Sequence, residues 1–149
     1  MEKIKQIIQE NIYCVLSTVD AQNQPWGAPV FFAYDEHYNF YWWTDTESQH
    51  SKNIEDNGKV YINIYDSHAA IGKGFGVYAQ CAASLVEGED LDRVREILNN
   101  RLGEQTLPTE KSSPTSAMQL YKATPVKWWH TANSQRGDDM IIVRQEVEL

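Results

Sequence analysis

The sequence predicts a mainly β fold, a small antiparallel barrel of six or seven strands with a few short helices. Runs rich in β-branched and aromatic residues recur at the short spacing that is typical of hairpins. These strand-type runs outnumber the segments with helical periodicity, and no internal repeat is visible. The 149 residues suffice to bury a hydrophobic core, and we expect one domain spanning residues 1–149.

The elements of the first half follow from periodicity and turn residues. Three isoleucines at positions 4, 7 and 8 predict a short amphipathic helix that covers the core. Strands are then predicted over residues 13–19, 26–34 and 40–44, separated by turn-forming clusters, so that a three-stranded meander results. Pro29 has no N–H for a ladder and is expected at a bulge or on an unpaired edge.

The second half continues the same alternation. Ser48 is a plausible N-cap for a short helix that ends at Asn57-Gly58. An amphipathic helix over residues 91–102 ends at Gly103, and further strands are predicted over residues 59–65, 75–87, 120–130 and 140–144. The polar segment 104–116, with two prolines, is long for a loop of a compact domain and is expected to be functional or mobile.

The charge balance excludes some partners. With 13 Lys+Arg against 21 Asp+Glu, the net charge of −8 has the wrong sign for a nucleic-acid-binding protein. No apolar run approaches the roughly 20 residues of a membrane-spanning helix. The first ten residues lack the apolar core of a signal peptide, so we expect a cytoplasmic protein with no membrane partner.

Cysteine and histidine usage gives no metal site. Cys14 and Cys81 are the only cysteines, and both lie in apolar strand-like runs where we expect buried, reduced thiols. The four histidines are scattered without the paired spacing of zinc ligands and occupy positions 37, 50, 68 and 130.

The most informative segment spans residues 40–54. Its strand ends at Trp43 and Thr44, and the following helix start carries Ser48, His50 and Lys52. A phosphate bound there would meet backbone N–H groups, hydroxyl donors and a positive side chain. The same residues also fit the alternative of a capped surface helix with solvated polar side chains.

Two further features concern strand surfaces. The proline-interrupted run 26–32 can present backbone donors and acceptors to a flat heterocycle, or it is simply a bulged edge strand. The adjacent tryptophan pairs 42–43 and 128–129 place their side chains on opposite faces of a strand. One member of each pair can therefore join the core while the other faces a ligand or a partner chain.

The order of these motifs resembles a known family. The segments GAPVFF (27–32), FYWWT (40–44), SQHSKNI (48–54) and VYINI (60–64), followed by the long strand from Val77, are similar to the pyridoxamine 5'-phosphate oxidase-like, FMN-binding split-barrel family of the general stress protein type. The resemblance implies a six-stranded antiparallel Greek-key split barrel. It also implies a homodimer that holds two FMN molecules at the subunit interface.

The resemblance also implies a set of cofactor-binding residues. The backbone of residues 29–31 would lie along the flavin ring, and residues 43 and 44 beside the ring and the ribityl chain. The family usually shows Ser-Arg-Lys at the phosphate, whereas here Gln49 and His50 stand in place of both cations and Lys52 is the nearest permanent charge. The implied set is Pro29, Val30, Phe31, Trp43, Thr44, Ser48, Gln49, His50, Lys52 and Trp129.

Two functions follow as expectations. The first is a flavin-dependent oxidoreductase on an unidentified small molecule, in which the cofactor rather than a side chain performs the chemistry. The alternative is a non-catalytic dimeric binder of flavin, haem or another planar ligand, acting as sensor or store. A deazaflavin in place of FMN, or loss of the cofactor, also remains open, and the sequence predicts no catalytic side chain.

Overall fold

The computed structural model describes residues 1–105 and 117–149. The helices are α1 (Glu2–Glu10), α2 (Gln49–Asn57) and α3 (Asp90–Leu102). The strands are β1 (Tyr13–Val19), β2 (Pro25–Phe31), β3 (Ala33–Tyr34), β4 (Phe40–Asp45), β5 (Lys59–Tyr65), β6 (Gly76–Leu85), β7 (Met118–Arg136) and β8 (Asp139–Val147). Antiparallel strands with a few short helices therefore confirm the predicted fold class.

The strands form one sheet in the order β2-β1-β5-β6-β7-β4-β3, and β8 pairs with β7. The two ends of this path, β2 and β3, are consecutive in the chain and are separated only by Phe32. The sheet therefore curls back on itself as a barrel. Within the described residues, β2 has no strand partner on its side away from β1, and residues 42–45 of β4 pair only with β7. We call the gap between these two unpaired edges the split.

Phe32 interrupts the predicted strand over residues 26–34. Its side chain is fully buried, and its backbone N–H leaves the β2 ladder to donate to the carbonyl of Ile12 at 3.1 Å. The expected three-stranded meander is wrong at this point, because β2 pairs with β1 whereas only the two-residue β3 pairs with β4. Pro29 lies on the edge strand β2, as its missing N–H predicts.

The eight strands of the described residues exceed the six that the family resemblance implies. The predicted strand 140–144 is present as β8, which forms a hairpin with the nineteen-residue β7, and the break at Phe32 adds β3. Beyond His130, the last β7 residue in register with β6, the rest of β7 pairs with β8. The segment 104–116 lies almost entirely outside the described residues.

The core fills the barrel and extends beneath α3. Alternation along β5 buries Val60, Ile62 and Ile64, as the sequence pattern predicts. One member of each tryptophan pair joins the main core as expected, Trp42 and Trp128, whereas Trp43 packs against a second cluster. This second cluster lies between the sheet and α3 and consists of Ala33, Tyr41, Val86, Val94, Leu98 and Leu120, with Phe31, Trp43, Leu91 and Ile97 packed against it.

Cys14 and Cys81 are both buried and free, and burial raises the pKa of the Cys81 thiol to about 12. Over residues 1–105 and 117–149, no group of three or more His, Cys, Asp or Glu side chains is arranged to hold a metal ion. In the same residues, no helix is long and apolar enough to cross a membrane.

Candidate functional site

Helix α2 begins and ends as its sequence predicts. The N-cap Ser48 has extended backbone angles, and its side-chain oxygen accepts the backbone N–H of Ser51 at 3.4 Å. Gly58 follows the last helical residue with a φ of +64°, and its N–H donates to the carbonyl of Ile54 at 2.8 Å. These caps fix the start of α2 directly after β4.

Four polar side chains meet at this start, and we call them the hydroxyl–imidazole cluster. The Nε2 atom of His50 lies 3.0 Å from Thr44 Oγ1 and 3.1 Å from Ser48 Oγ. Ser51 completes the cluster, with its Oγ atom 2.8 Å from Ser48 Oγ. Three predicted site residues, Thr44, Ser48 and His50, are thus brought into direct contact.

The cluster is uncharged near neutral pH. His50 is only 8% exposed, and this burial lowers its pKa below the ordinary value of 6.5. The expected permanent charge is engaged elsewhere, since the ammonium of Lys52 lies 3.1 Å from a carboxylate oxygen of Glu47. Gln49 donates to Asn53 Oδ1 at 2.8 Å. The structure therefore does not bring Gln49 and Lys52 into the cluster.

The predicted ring-binding residues border the split. Pro29 is exposed on the edge strand β2, whereas the side chain of Val30 points into the core, so that only its backbone is available at this edge. Phe31 on β2 and Trp43 on β4 both pack against the second hydrophobic cluster. Because α2 contacts β2 and directly follows β4, the hydroxyl–imidazole cluster lies at one end of the split.

Trp129 lies apart from the other predicted residues. Across neighbouring strands, Pro29 lies opposite Val15, Val15 opposite Asn63, Asn63 opposite Tyr78, and Tyr78 opposite Trp129. Pro29 and Trp129 therefore lie on the same outer face of the sheet. Four strand spacings separate these two residues, which amounts to about 19 Å along the sheet. Within one chain, Trp129 is not brought together with the residues at the split.

Two buried polar residues of α2 escaped the sequence analysis. Ser51 is 2% exposed and joins the cluster, and Asn53 is 1% exposed and donates to Thr18 Oγ1 at 2.9 Å. The spacing of Ser51 three residues after the N-cap Ser48 is the signal that could have found it. Nothing local predicts the contact of Asn53, because Thr18 is 35 residues away.

The donor set fits the polar end of a flavin nucleotide. A hydroxyl at Thr44 and the first backbone N–H groups of α2 can donate to phosphate oxygens. The unpaired backbone edge of β2 can bond the polar rim of a planar ring. The arrangement has no free permanent cation among its described members, so phosphate binding would depend on neutral donors and on the charge state of His50.

Comparison with known proteins identifies the family of the chain. The family model described as pyridoxamine 5'-phosphate oxidase matches residues 1–132. This chain belongs to the pyridoxamine 5'-phosphate oxidase-like family. The match covers the barrel, both sides of the split and the hydroxyl–imidazole cluster, and it leaves residues 133–149, which contain β8, outside. Among curated proteins, none matches the sequence.

Solved structures of similar fold include haem-related proteins. HutZ, the haem storage protein of Vibrio cholerae, is 25% identical with a TM-score of 0.71, over 83% of this chain and 88% of that chain. A haem-binding protein of Mycobacterium smegmatis is 14% identical with a TM-score of 0.72, over 96% of this chain and 57% of that chain. A candidate pyridoxamine 5'-phosphate oxidase of Listeria innocua is 20% identical with a TM-score of 0.64, over 85% and 94%. The likenesses at 14% and 20% identity show the fold of this family member.

Proposed function

We propose that this chain is a flavin-binding protein that holds FMN along the split, with the phosphate at the hydroxyl–imidazole cluster, and that it acts as a flavin-dependent oxidoreductase on a small molecule. One observation carries the proposal. Thr44 and Ser48, which the family resemblance assigns to the cofactor together with His50, each lie within 3.1 Å of the His50 ring at the end of an unpaired strand edge.

Different residues would bind the two ends of the cofactor. Thr44 and the first N–H groups of α2 would donate to the phosphate. The backbone of residues 29–31 would bond the polar rim of the ring, and Trp43 would border it. Bound flavin supplies hydride or electron transfer, and the protein supplies position and exclusion of water.

The same proposal includes a homodimer with the cofactor at the subunit interface. Exposed aromatic side chains lie on the outer face of the sheet, including Tyr13 at 58% and Tyr65 at 51%. Trp129 stands on that face, with its ring 6.3 Å from the ring of Tyr61. A second copy packed there would cover these rings and would bring its own Trp129 toward the split of the first chain.

The test is an absorbance spectrum of the purified protein, followed by titration with FMN under flavin and tryptophan fluorescence. We expect oxidised-flavin bands or saturable quenching. His50→Ala removes a ligand-facing side chain of the cluster and should weaken FMN binding by about 1.5–3 kcal/mol, the contribution of a hydrogen bond to a charged group. The control is His37→Ala, because His37 is exposed on the turn before β4. Unchanged affinity in His50→Ala would remove this residue from the phosphate site.

A second candidate is a non-catalytic haem binder. It is favoured by the 25% identity to a protein named for haem storage. The neutral cluster also favours it, since the lack of a free cation weakens the case for a phosphate. Haem titration distinguishes the two candidates: a Soret shift with no response to FMN would replace the flavin proposal.

A further inference from the structure

Hydrogen bonds in the hydroxyl–imidazole cluster run in one direction. The hydroxyl of Ser51 donates to the backbone carbonyl of Asp45 at 2.8 Å, and a carbonyl oxygen can only accept. The single proton of Ser51 is therefore engaged. The 2.8 Å contact between Ser51 Oγ and Ser48 Oγ must then use the proton of Ser48.

The same assignment of donors and acceptors determines which nitrogen of the His50 ring carries a proton. Because the proton of Ser48 points to Ser51, the 3.1 Å contact between Ser48 Oγ and His50 Nε2 needs a proton on Nε2. Thr44 Oγ1, at 3.0 Å from the same nitrogen, accepts this N–H as the second arm of a three-centre bond. The proton of Thr44 is left for a different acceptor.

We infer that a relay from His50 through Ser48 and Ser51 to the Asp45 carbonyl holds the ring as the Nε2–H tautomer and leaves Nδ1 to meet the ligand. Ser51 is then a positioning residue, which acts on the ligand only through His50. Among the described residues, Nδ1 has no hydrogen-bond partner. The hydrogen bond that one ring nitrogen of a histidine makes determines which of the two nitrogens carries the proton. In His50, this is the bond from Nε2 to Ser48 in the relay.

The tautomer restricts what the site can accept. A bare Nδ1 lone pair accepts a bond from a hydroxyl or N–H group of a ligand. A phosphate oxygen in the same place would set lone pair against lone pair, so a phosphate needs an additional proton on Nδ1, taken from solution. The ring would then be an imidazolium that donates to the phosphate from Nδ1 and to Ser48 from Nε2. This part of the inference rests on the proposed function.

Among residues 1–105 and 117–149, no other titratable group competes for this role. The strands that pack most extensively against α2 are β1, β2 and β6, and they carry no acidic or basic side chain. Their titratable groups are Tyr13, Cys14, Tyr78 and Cys81. Around the helix start, Asp45 is exposed, and Glu47 and Lys52 pair with each other. Burial lowers the pKa of His50.

The test is a long-range ¹H–¹⁵N correlation spectrum of the flavin-free protein at pH 8, with His50 identified by the loss of its signals in His50→Gln. We expect Nε2 to show the signature of a protonated nitrogen and Nδ1 that of an unprotonated one. The opposite pattern in the wild-type protein overturns the inference. The tautomer is read from the wild-type spectrum, and this result does not depend on flavin binding.

Two variants test the relay itself. Ser51→Ala removes the acceptor for the Ser48 proton, which then turns to His50 Nε2, so we expect the tautomer to switch to Nδ1–H. Thr44→Val removes the other neighbour of Nε2 at nearly constant shape and should leave the tautomer unchanged. A tautomer that stays in Ser51→Ala, or switches in Thr44→Val, shows that the relay does not set it.

Addition of ligand to the same protein, now at pH 6.5, separates the two proposals. FMN should convert His50 to the doubly protonated ring, whereas riboflavin, which lacks the phosphate, should leave it neutral. Binding of FMN with a neutral His50 overturns the ligand part of the inference. No response to either flavin counts against the proposed function alone, because the tautomer has already been measured.

Discussion

His50 occupies a position where the surrounding chain favours a neutral ring. Its side chain is buried at the start of a helix, and both neighbours of Nε2 are hydroxyl groups. Among the described residues the ring has no anionic partner, and desolvation disfavours the imidazolium and lowers the pKa of His50. A histidine here therefore differs from a permanent cation, because its charge would appear only when a ligand stabilises it.

This burial makes folding stability depend on pH. With a folded-state pKa below 6.5, His50 stays neutral in the folded protein while the unfolded chain binds a proton. The unfolded state then gains stability as pH falls through 6.5, so we expect the wild-type free energy of unfolding to decrease below that pH. Urea unfolding at a series of pH values measures this loss.

His50→Gln provides the comparison, since glutamine keeps polar atoms near the same hydroxyls and does not titrate. The free energy of unfolding of the wild type should decrease relative to that of His50→Gln as pH falls. A difference that stays constant from pH 8 to pH 5 would mean that the ring is not desolvated in the folded protein.

At the scale of elements, α2 is held at both ends. Its start carries the hydroxyl–imidazole cluster, and its end turns through Gly58 into β5. The carbonyl of Gly58 accepts the N–H of Ala83 at 2.7 Å, which ties the helix end to β6. The position of the cluster at the split therefore depends on a glycine ten residues farther along the chain.

Gly58→Ala should destabilise the protein for two reasons. The residue has a φ of +64°, where a side chain costs about 1–2 kcal/mol, and an added Cβ would lie 2.9 Å from the carbonyl oxygen of Ala83. Gly88→Ala is a matched control, because Gly88 has a φ of +65° with no atom within 4 Å of the added Cβ. In chemical denaturation, Gly58→Ala should lose more stability than Gly88→Ala. Equal losses would show that the Ala83 contact relaxes without cost.

At the scale of the whole molecule, the arrangement of the sheet bears on the proposed homodimer. Trp43 pairs with Leu120 in β7, and Trp129 lies nine residues farther along the same strand, about 30 Å away. A cofactor of flavin size cannot join these two tryptophans within one chain. If Trp129 contacts the flavin, it does so in the site of the other subunit.

Subunit mixing tests this arrangement. Trp129→Ala and His50→Ala should each weaken FMN binding, because each removes one side of every site in its own homodimer. After exchange of subunits, a mixed dimer contains one site with both residues intact, so titration of the mixture should reveal a population of tight sites. A mixture no tighter than its two components would place Trp129 outside the cofactor site.

The sequence by itself determined most of the elements and the start of α2. The alternation of Val60, Ile62 and Ile64, and the Ser48 cap, depend on contacts between residues that are near in the chain, so local pattern predicts them. The family resemblance supplied the three site residues that meet in the structure, Thr44, Ser48 and His50.

The tertiary structure alone decided the rest. It showed the break at Phe32 that opens the split, and the distance that separates Trp129 from Pro29. It also showed the burial that keeps His50 neutral. These features depend on which distant strands pair and on which polar groups are desolvated by that pairing. Local sequence does not predict either of them, because the contacting residues are far apart in the chain.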